Sequence, residues 1–286
     1  METIEEIQAE AGETCTDEAP CIQSGSYLLE LSLDWIVLRA SENIHHLVRE
    51  SHVTLIDEPL GRFVHAQALH DLRNLFSKLS GTTGVGRAYA VRLTDDHDLV
   101  DIAFQLVDGR VLLEAVPTSG CFGEAFGSVG GLMAGLANSR GQALLDGGAR
   151  RMRALTGYDR VTLRCGEQRA ESSRGAFDAQ SAIAEDLPTI VSDCHAEAVH
   201  IFPRDSEESS VGSALLRSCD EAQSVALERQ GVRSCLSIPF SLDGISGEFR
   251  CEGRTAREPS FELHAAAELF AQLFAMRLQI DALKSR

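Results

Sequence analysis

The chain has 286 residues, of which 44% are hydrophobic and 24% charged, as expected for a soluble globular protein with room for about two domains. Its formal net charge of −17 disfavours contact with nucleic-acid phosphates. Because no apolar run approaches the ~18–20 residues that span a bilayer, and the acidic N-terminus lacks the basic start of a secretory signal, we expect a cytoplasmic protein without a membrane anchor.

Residues 1–21 are acidic and carry few large apolar side chains, which predicts a mobile arm. Order is expected from Ile22 onwards. Period-two runs, leucines at helical spacing and an Asp108-Gly109 turn define the elements up to residue 118. They are strands at 27–31, 35–38 and 87–93, a short helix after Ser41, a longer helix at 65–79, and a hairpin over 102–116.

The glycine-rich residues 121–135 are predicted to separate this part of the chain from a second one. A helix over 132–156 is expected to follow, although its glycines weaken a helix. Residues 166–182 are polar and show no clear pattern. The remaining predicted elements are strands at 161–165, 187–191 and 200–203 and a long helix at 261–283.

The last third of the chain carries an ordered set of short motifs. They are a Leu-Arg-Ser turn at 216–218, Gly231-Val232 at a helix end, a serine-containing strand at 234–240, and Cys251 at the end of the next strand. This order resembles the GAF domain of the bacterial phytochromes. Nearer the N-terminus, the resemblance extends to the PAS domain of that family through Cys15, Ile22-Gln23 and Leu28-Leu29.

The resemblance implies an α+β fold of tandem PAS and GAF domains, each with a central antiparallel sheet and flanking helices, and with a long C-terminal helix. The expected divisions are an arm at 1–21, a PAS domain at 22–118, a linker at 119–131, and a GAF domain at 132–286 that includes the connecting and C-terminal helices. In the family the N-terminal arm threads through a GAF loop. Both partners are shortened here, so we expect this thread to be loosened or absent.

A phytochrome holds a linear tetrapyrrole, the bilin, through a thiol, through Arg, His and Ser on its propionates, and through an Asp and a His near its rings. The sequence departs from the family at four of these positions. Ala182 stands at the Asp position, Pro188 at an Arg, Gln223 at a His, and Glu252 at the ring-binding His. Because a buried charge needs a partner, and a carboxylate donates no hydrogen bond unless protonated, these changes disfavour bilin.

The candidate bilin contacts that remain are Cys15 or Cys21 for a thioether bond, with Arg217 and Ser218 for the propionates. A cysteine on a mobile arm with no basic neighbour has an ordinary thiol. The Leu-Arg-Ser turn also has a simpler structural interpretation. Cys194-His195 with His200 is a candidate set of metal or heme ligands, but ordinary loop residues are the favoured interpretation, and only composition supports a Cys-His-Asp catalytic centre.

We therefore expect a non-enzymatic, phytochrome-like sensory or regulatory signalling module that acts through protein–protein contacts and needs no cofactor. The alternative is a divergent photoreceptor for red light that binds biliverdin, a bilin, through a thioether at Cys15 or Cys21. The helix at 261–283 has a wide apolar face, which favours a homodimer through this helix over packing within one chain. If Phe270 lies on the exposed part of that face, Phe270→Glu is expected to give monomers.

Overall fold

The computed structural model describes residues 21–79, 84–95, 98–118, 123–177, 186–204 and 210–284. The predicted arm up to residue 20, with Cys15, and the position of Ala182 lie outside the described residues. Two antiparallel sheets organise the molecule, one centred in each half of the chain, and helices cover them. None of the described helices is long and apolar enough to cross a bilayer.

The first sheet has seven strands in the order β1-β10-β3-β2-β6-β5-β4. These strands are β1 (Cys21–Gln23), β2 (Tyr27–Leu31), β3 (Val37–Ser41), β4 (Gly86–Val91), β5 (Val100–Val107), β6 (Arg110–Pro117) and, from the second half of the chain, β10 (Ala198–Phe202). The short helices α1 (His45–Val48) and α2 (His52–Leu55) and the longer α3 (Ala66–Leu79) share one apolar core with this sheet. Its other face is turned towards the second half of the chain.

The β5–β6 hairpin confirms the predicted turn. Asp108 and Gly109 both adopt left-handed backbone conformations, with φ angles of 49° and 77°, and Asp-Gly favours such a two-residue loop. The two strands pair along their full length, so the turn sets the register of the sheet centre. The helix predicted at 65–79 is confirmed as Ala66–Leu79, with its leucines turned into the core.

The second sheet has five strands in the order β8-β7-β12-β11-β9. These are β7 (Arg160–Cys165), β8 (Gln168–Ser173), β9 (Ile190–Val191), β11 (Ser234–Leu242) and β12 (Ile245–Gly253). The helices of this half are α4 (Glu124–Ala134), α5 (Gly141–Thr156), α6 (Glu221–Arg229) and α7 (Phe261–Lys284). α5 and α7 pack on one face of the sheet, and α7 confirms the long helix predicted at 261–283.

An aromatic core, formed by Phe240, Phe249, Phe270 and Phe274, fixes α7 to this sheet. The Phe249 ring lies 5.2 Å from Phe274, 5.6 Å from Phe240 and 6.0 Å from Phe270, measured between ring centroids. All four side chains are buried. Burying an aromatic side chain of this size stabilises a fold by about 1.5–3 kcal/mol, so these contacts anchor the middle of α7 to the sheet.

The prediction of one continuous helix over 132–156 is wrong. The structure has two helices, α4 and α5, separated by residues 135–140. Side chains satisfy the backbone groups at the break. Arg151 donates to the Gly135 carbonyl at 2.6 Å, and the Asp281 carboxylate accepts from the Gly141 amide at 2.9 Å. A Cβ at Gly148 would lie 2.5 Å from an aromatic-core ring, so glycine there permits the close packing of α5.

The N-terminal thread, residues 21–24, is bonded along both edges. β1 pairs with β10 on one side. On the other side the Gln23 amide donates to the Leu216 carbonyl at 3.0 Å, and the Cys21 carbonyl accepts from the Ser218 amide at 2.9 Å. The buried Gln23 side chain also donates to the Ile190 carbonyl at 2.6 Å. Residues between 190 and 218 therefore hold the Ile22-Gln23 part of the thread on both edges. The arm up to residue 20 and parts of the surrounding loop lie outside the described residues, so the expectation that the thread is loosened or absent stays a prediction.

A polar contact joins the edge strand β4 of the first sheet to α7. Arg87 donates to His264 Nδ1 and to the Glu268 carboxylate, both at 2.7 Å. Burial, and secondarily the charge of Arg87, lowers the pKa of His264 to about 3. The His264 ring is therefore neutral at physiological pH and can accept the hydrogen bond from Arg87.

Candidate functional site

The face of the five-stranded sheet that points away from α7 carries polar side chains. They are Arg160 and Thr162 on β7, Cys235 and Ser237 on β11, and Glu248, Arg250 and Glu252 on β12. They alternate with the apolar residues that pack on α7, as the period of a strand requires. Because Glu252 stands where the family resemblance puts the ring-binding His, this face is the candidate ligand site.

A buried ion pair occupies this face. Arg160 Nε donates to the Glu252 carboxylate at 2.5 Å, and both side chains are below 10% exposed. The Phe177 ring lies over the Arg160 guanidinium at 4.4 Å, and the Arg254 guanidinium lies 4.0 Å from the same ring. The carboxylate of Glu252 thus has a protein partner, and the arginine is shielded from water.

Glu252 can be located from the sequence, but its partners Arg160 and Phe177 cannot. Arg160 is separated from Glu252 by 92 residues along the chain, and neither residue has a local signal that points to the other. Phe177 lies beyond β8, in the polar stretch 166–182 where no pattern was recognised.

Gln223 has a structural role at the start of α6. Its side chain accepts from the Asp220 amide at 3.1 Å, while Asp220 accepts from the Gln223 amide at 2.7 Å, which makes a capping box. The Gln223 amide group also donates to the Asp186 carbonyl at 2.8 Å. Pro188 follows in the same loop, is buried and has no N–H to donate. Neither residue presents a free cationic group to a ligand.

Arg217 and Ser218, predicted as propionate contacts, lie beside the N-terminal thread. The Arg217 guanidinium donates to the Asp186 carbonyl at 2.8 Å and lies 3.9 Å from the Asp186 carboxylate. The Ser218 hydroxyl is buried and has no hydrogen-bond partner among the described residues. The structure therefore brings the Leu-Arg-Ser turn next to Cys21, whose carbonyl accepts from the Ser218 amide, and ties its arginine to a loop.

Cys21 was predicted to belong to the mobile arm, and this is wrong, since it is a buried residue of β1. Its sulfur lies 3.3 Å from His200 Nδ1 and is disulfide-bonded, so it is not a free thiol in this structure. The free cysteines Cys219 and Cys235 lie near the polar face of the second sheet, in one apolar cluster. Burial raises the pKa of each to about 12, which keeps them as unreactive thiols.

Two adjoining clefts open where the thread meets the loop after β12. Their volumes are about 420 and 650 Å³, and both are lined by Ser192, Arg257 and Glu258. Arg257 stacks on the Tyr158 ring at 4.4 Å and donates to carbonyls at the C-terminus of α5. The Arg257 guanidinium therefore already interacts with groups of the protein itself. Among the described residues, no group of three His, Cys, Asp or Glu side chains could hold a metal ion.

No family model and no curated protein matches the chain. Solved structures do match. The chromophore-binding domain of an unusual bacteriophytochrome from R. palustris is similar with a TM-score of 0.73 at 21% identity, covering 94% of this chain and 98% of that one. The chromophore-binding domain of Stigmatella aurantiaca phytochrome P1 gives a TM-score of 0.70 at 22% identity, over 91% of this chain and 95% of that one.

A longer structure, a bacteriophytochrome from photosynthetic R. palustris, gives a TM-score of 0.74 at 20% identity. It is matched over 97% of this chain and 62% of its own length. At such low identity these similarities establish the fold. The chain has the α+β architecture of tandem PAS and GAF domains with a long C-terminal helix, as expected from the sequence resemblance.

Proposed function

We propose that this chain is a cytoplasmic, phytochrome-like sensory or regulatory module that acts through protein–protein contacts, has no enzymatic activity, and does not hold bilin in the usual way. The shared fold with bacteriophytochrome chromophore-binding domains supports a sensory role. The main support for the absence of the usual bilin binding is the buried ion pair of Glu252 with Arg160. This pair stands where the resemblance puts a hydrogen-bond donor to the pigment.

The energetic argument starts from this ion pair. A ligand that takes either partner leaves the other charge buried and alone, which costs about 3–5 kcal/mol. The other replaced positions offer no compensation, because Gln223 is committed to a helix cap and Pro188 has no donor. Each missing charge-assisted hydrogen bond to the pigment removes a further ~1.5–3 kcal/mol. Together these terms correspond to more than about a thousandfold in affinity.

The test is to add excess biliverdin to the purified protein, remove unbound pigment, and record absorption after alternate red and far-red illumination. We expect no narrow red band and no reversible shift. Glu252→His combined with Arg160→Met restores the donor without leaving a buried charge unpaired, so this double variant should retain more pigment than the wild type. Glu252→Leu combined with Arg160→Met, which has no donor at this position, is the matched control and should not. A photochromic wild type overturns the proposal.

The alternative function, a divergent biliverdin photoreceptor, rests on the position of Cys21 beside the Leu-Arg-Ser turn. Its thioether would form at Cys15 or Cys21, with Arg217 and Ser218 as propionate contacts. It requires reduction of the Cys21 disulfide first. The distinguishing measurement is pigment that survives denaturing electrophoresis of the reduced protein. Loss of that pigment in Cys15→Ala or in Cys21→Ala, with the wild type loaded, favours the alternative.

The proposed module acts as a homodimer through α7. The side of α7 that faces solvent carries a stripe of apolar residues, which are the exposed Leu269, Met276, Ile280 and Leu283 and the half-buried Leu273. Their alternating spacing of four and three residues is the heptad pattern of a two-helix seam. A second copy of the same helix is the simplest partner that buries this seam. Phe270 does not belong to it, because that ring is fully buried in the aromatic core.

Substitution of a central seam residue tests the dimer. Met276→Glu places a charge in the seam and should convert a dimer to monomers at tens of micromolar, as measured by light scattering after gel filtration. Ala282→Glu, on an exposed part of the same helix away from the seam, is the control and should leave the dimer intact. Phe270→Glu is unsuitable, since it would disrupt the aromatic core. A wild-type protein that is monomeric under these conditions rejects the homodimer.

A further inference from the structure

Two buried carboxylates dock one segment on the first sheet. The segment, residues 210–218, is called the clasp here because it also holds the N-terminal thread. Glu30 of β2 accepts from the Ser210 amide at 3.0 Å. Glu114 of β6 accepts from the next part of the clasp, one carboxylate oxygen from the Leu215 amide and the other from the Leu216 amide, both at 2.9 Å. Both glutamates are buried, with at most 2% of their surface exposed to solvent.

The two carboxylates differ in their charge balance. Glu30 is paired with Arg39 at 3.0 Å and with Arg110 at 3.4 Å, so its charge is neutralised within the protein. Glu114 forms no ion pair among the described residues, and its contacts are the two backbone amides. Its cross-strand neighbours are the apolar residues Leu28 and Ala103. The clasp covers it with apolar side chains.

The ionisable groups on the elements packed around Glu114 all have other partners. They are Glu30 on β2, Asp101 on β5, Arg110 on β6, His200 on β10, and Arg217 on the clasp. Asp101, for example, accepts from the Ala90 amide at 2.9 Å and from the Thr118 hydroxyl at 2.8 Å. Complete burial therefore dominates, and it raises the pKa of Glu114 to about 7, although the two amides oppose this rise.

The clasp connects Glu114 to the thread. The Leu216 amide donates to Glu114, while the Leu216 carbonyl accepts from the Gln23 amide. Two residues on, the Ser218 amide donates to the Cys21 carbonyl. A change at Glu114 thus acts on the backbone that holds β1, and so on the junction between the two halves of the molecule.

We propose that Glu114 is a pH-sensitive latch that docks the clasp on the first sheet more firmly when it carries a proton. When the clasp lifts, Glu114 meets water and its carboxyl returns to an ordinary proton affinity. The docked state binds the proton more tightly than the lifted state, so protons favour docking. Raising the pH through neutrality leaves an uncompensated buried carboxylate, which favours lifting of the clasp and release of the thread. This latch is independent of whether the protein binds a pigment.

Hydrogen exchange of the whole protein, followed by mass spectrometry and corrected for intrinsic exchange, measures how often the clasp opens. Between pH 6 and pH 8 we expect the opening equilibrium of the clasp and thread to rise roughly tenfold. Amides of the β5–β6 hairpin serve as the internal reference and should show no such rise. Glu114→Gln cannot ionise and should abolish the pH dependence, whereas Glu258→Gln, at an exposed position, should leave it unchanged.

A clasp whose protection is independent of pH, or a Glu114→Gln variant with the wild-type pH response, overturns the proposal. If Glu114→Gln does not fold, a carbon-13 NMR titration of glutamate carboxyls in the wild type decides instead. A carboxyl that titrates near neutrality supports the latch. Titration of every glutamate near its ordinary pKa of about 4.5 overturns it.

Discussion

The aromatic core and the buried ionisable groups of this protein are equally shielded from water but are stabilised in different ways. The aromatic core joins the second sheet to α7 through rings that need only apolar neighbours. Each ionisable group depends on one specific arrangement. Glu252 depends on Arg160, Glu114 on the clasp amides, and His264 on Arg87.

The aromatic core therefore contributes stability, whereas the buried ionisable groups make the protein sensitive to pH and to ligands. Apolar burial stabilises in proportion to area and is insensitive to pH, so the contribution of the aromatic core to stability does not change with pH. A buried charge gives little net stability even when paired, but becomes costly when its partner or its proton changes. Sensitivity to ligand or pH is therefore expected at the ionisable groups, which lie on the polar sheet face and at the junction of the two halves.

The largest effect is expected from the aromatic core. Phe249→Ala removes a fully buried ring that contacts the three other phenylalanines, and should lower the free energy of unfolding by about 3–5 kcal/mol. Urea unfolding at several pH values measures this, and the loss should be the same at each. Leu106→Ala, at a residue that is 46% exposed, is the control and should cost under about 0.5 kcal/mol. Equal losses in both variants would contradict the assignment of this core.

A smaller effect is expected at the ion pair. Glu252→Gln keeps the shape and one acceptor but removes the charge opposite Arg160, and should lower the free energy of unfolding by about 2 kcal/mol. Replacing both partners, by Glu252→Leu with Arg160→Met, should cost less than the single change, because no charge is left unpaired. Glu258→Gln serves as the exposed control. A double variant that is less stable than Glu252→Gln would show that the pair itself stabilises the fold.

The sequence predicted most clearly those elements whose signal is local. The Asp108-Gly109 hairpin and the helix that became α7 follow from turn chemistry and apolar spacing, and both are confirmed. β8 was missed because it is an edge strand in which four of the six side chains are polar and exposed. The break between α4 and α5 was missed because distant side chains, such as Asp281, satisfy the backbone there.

The candidate site shows the same limit. Sequence reasoning located Glu252 and Gln223 by comparison with a motif, but not the structural partners they have. Arg160 comes from a strand 92 residues earlier, and only the β7–β12 pairing brings it to Glu252. Glu114 carried no signal at all, because an isolated acidic residue in an apolar strand gives no indication of the clasp that covers it. Long-range pairing, rather than composition, creates these sites.

The smallest effect is a balance between two ionisable groups, and it concerns the pH dependence of stability. The pKa of Glu114 is raised to about 7, so its contribution to stability is present at low pH and is lost as the pH rises towards 7. The pKa of His264 is lowered to about 3, so its contribution is present above about 6.5 and is lost as the pH falls. Between about pH 5 and 6, unfolding takes up a proton at His264 and releases one at Glu114. The two groups therefore change the free energy of unfolding with pH in opposite directions, and their effects cancel.

Replacing either group should reveal the effect of the other on the pH dependence of the free energy of unfolding. Relative to the wild type, Glu114→Gln should become more stable with rising pH by about 1 kcal/mol per unit between pH 5 and 6, and His264→Gln should become less stable by a similar amount. Contributions from all other groups are common to the three proteins and drop out of these differences. Phe249→Ala should run parallel to the wild type, because the aromatic core binds no proton. Parallel curves for Glu114→Gln and the wild type would mean that Glu114 titrates normally in the folded protein, and that the junction of the two halves does not respond to pH through this residue.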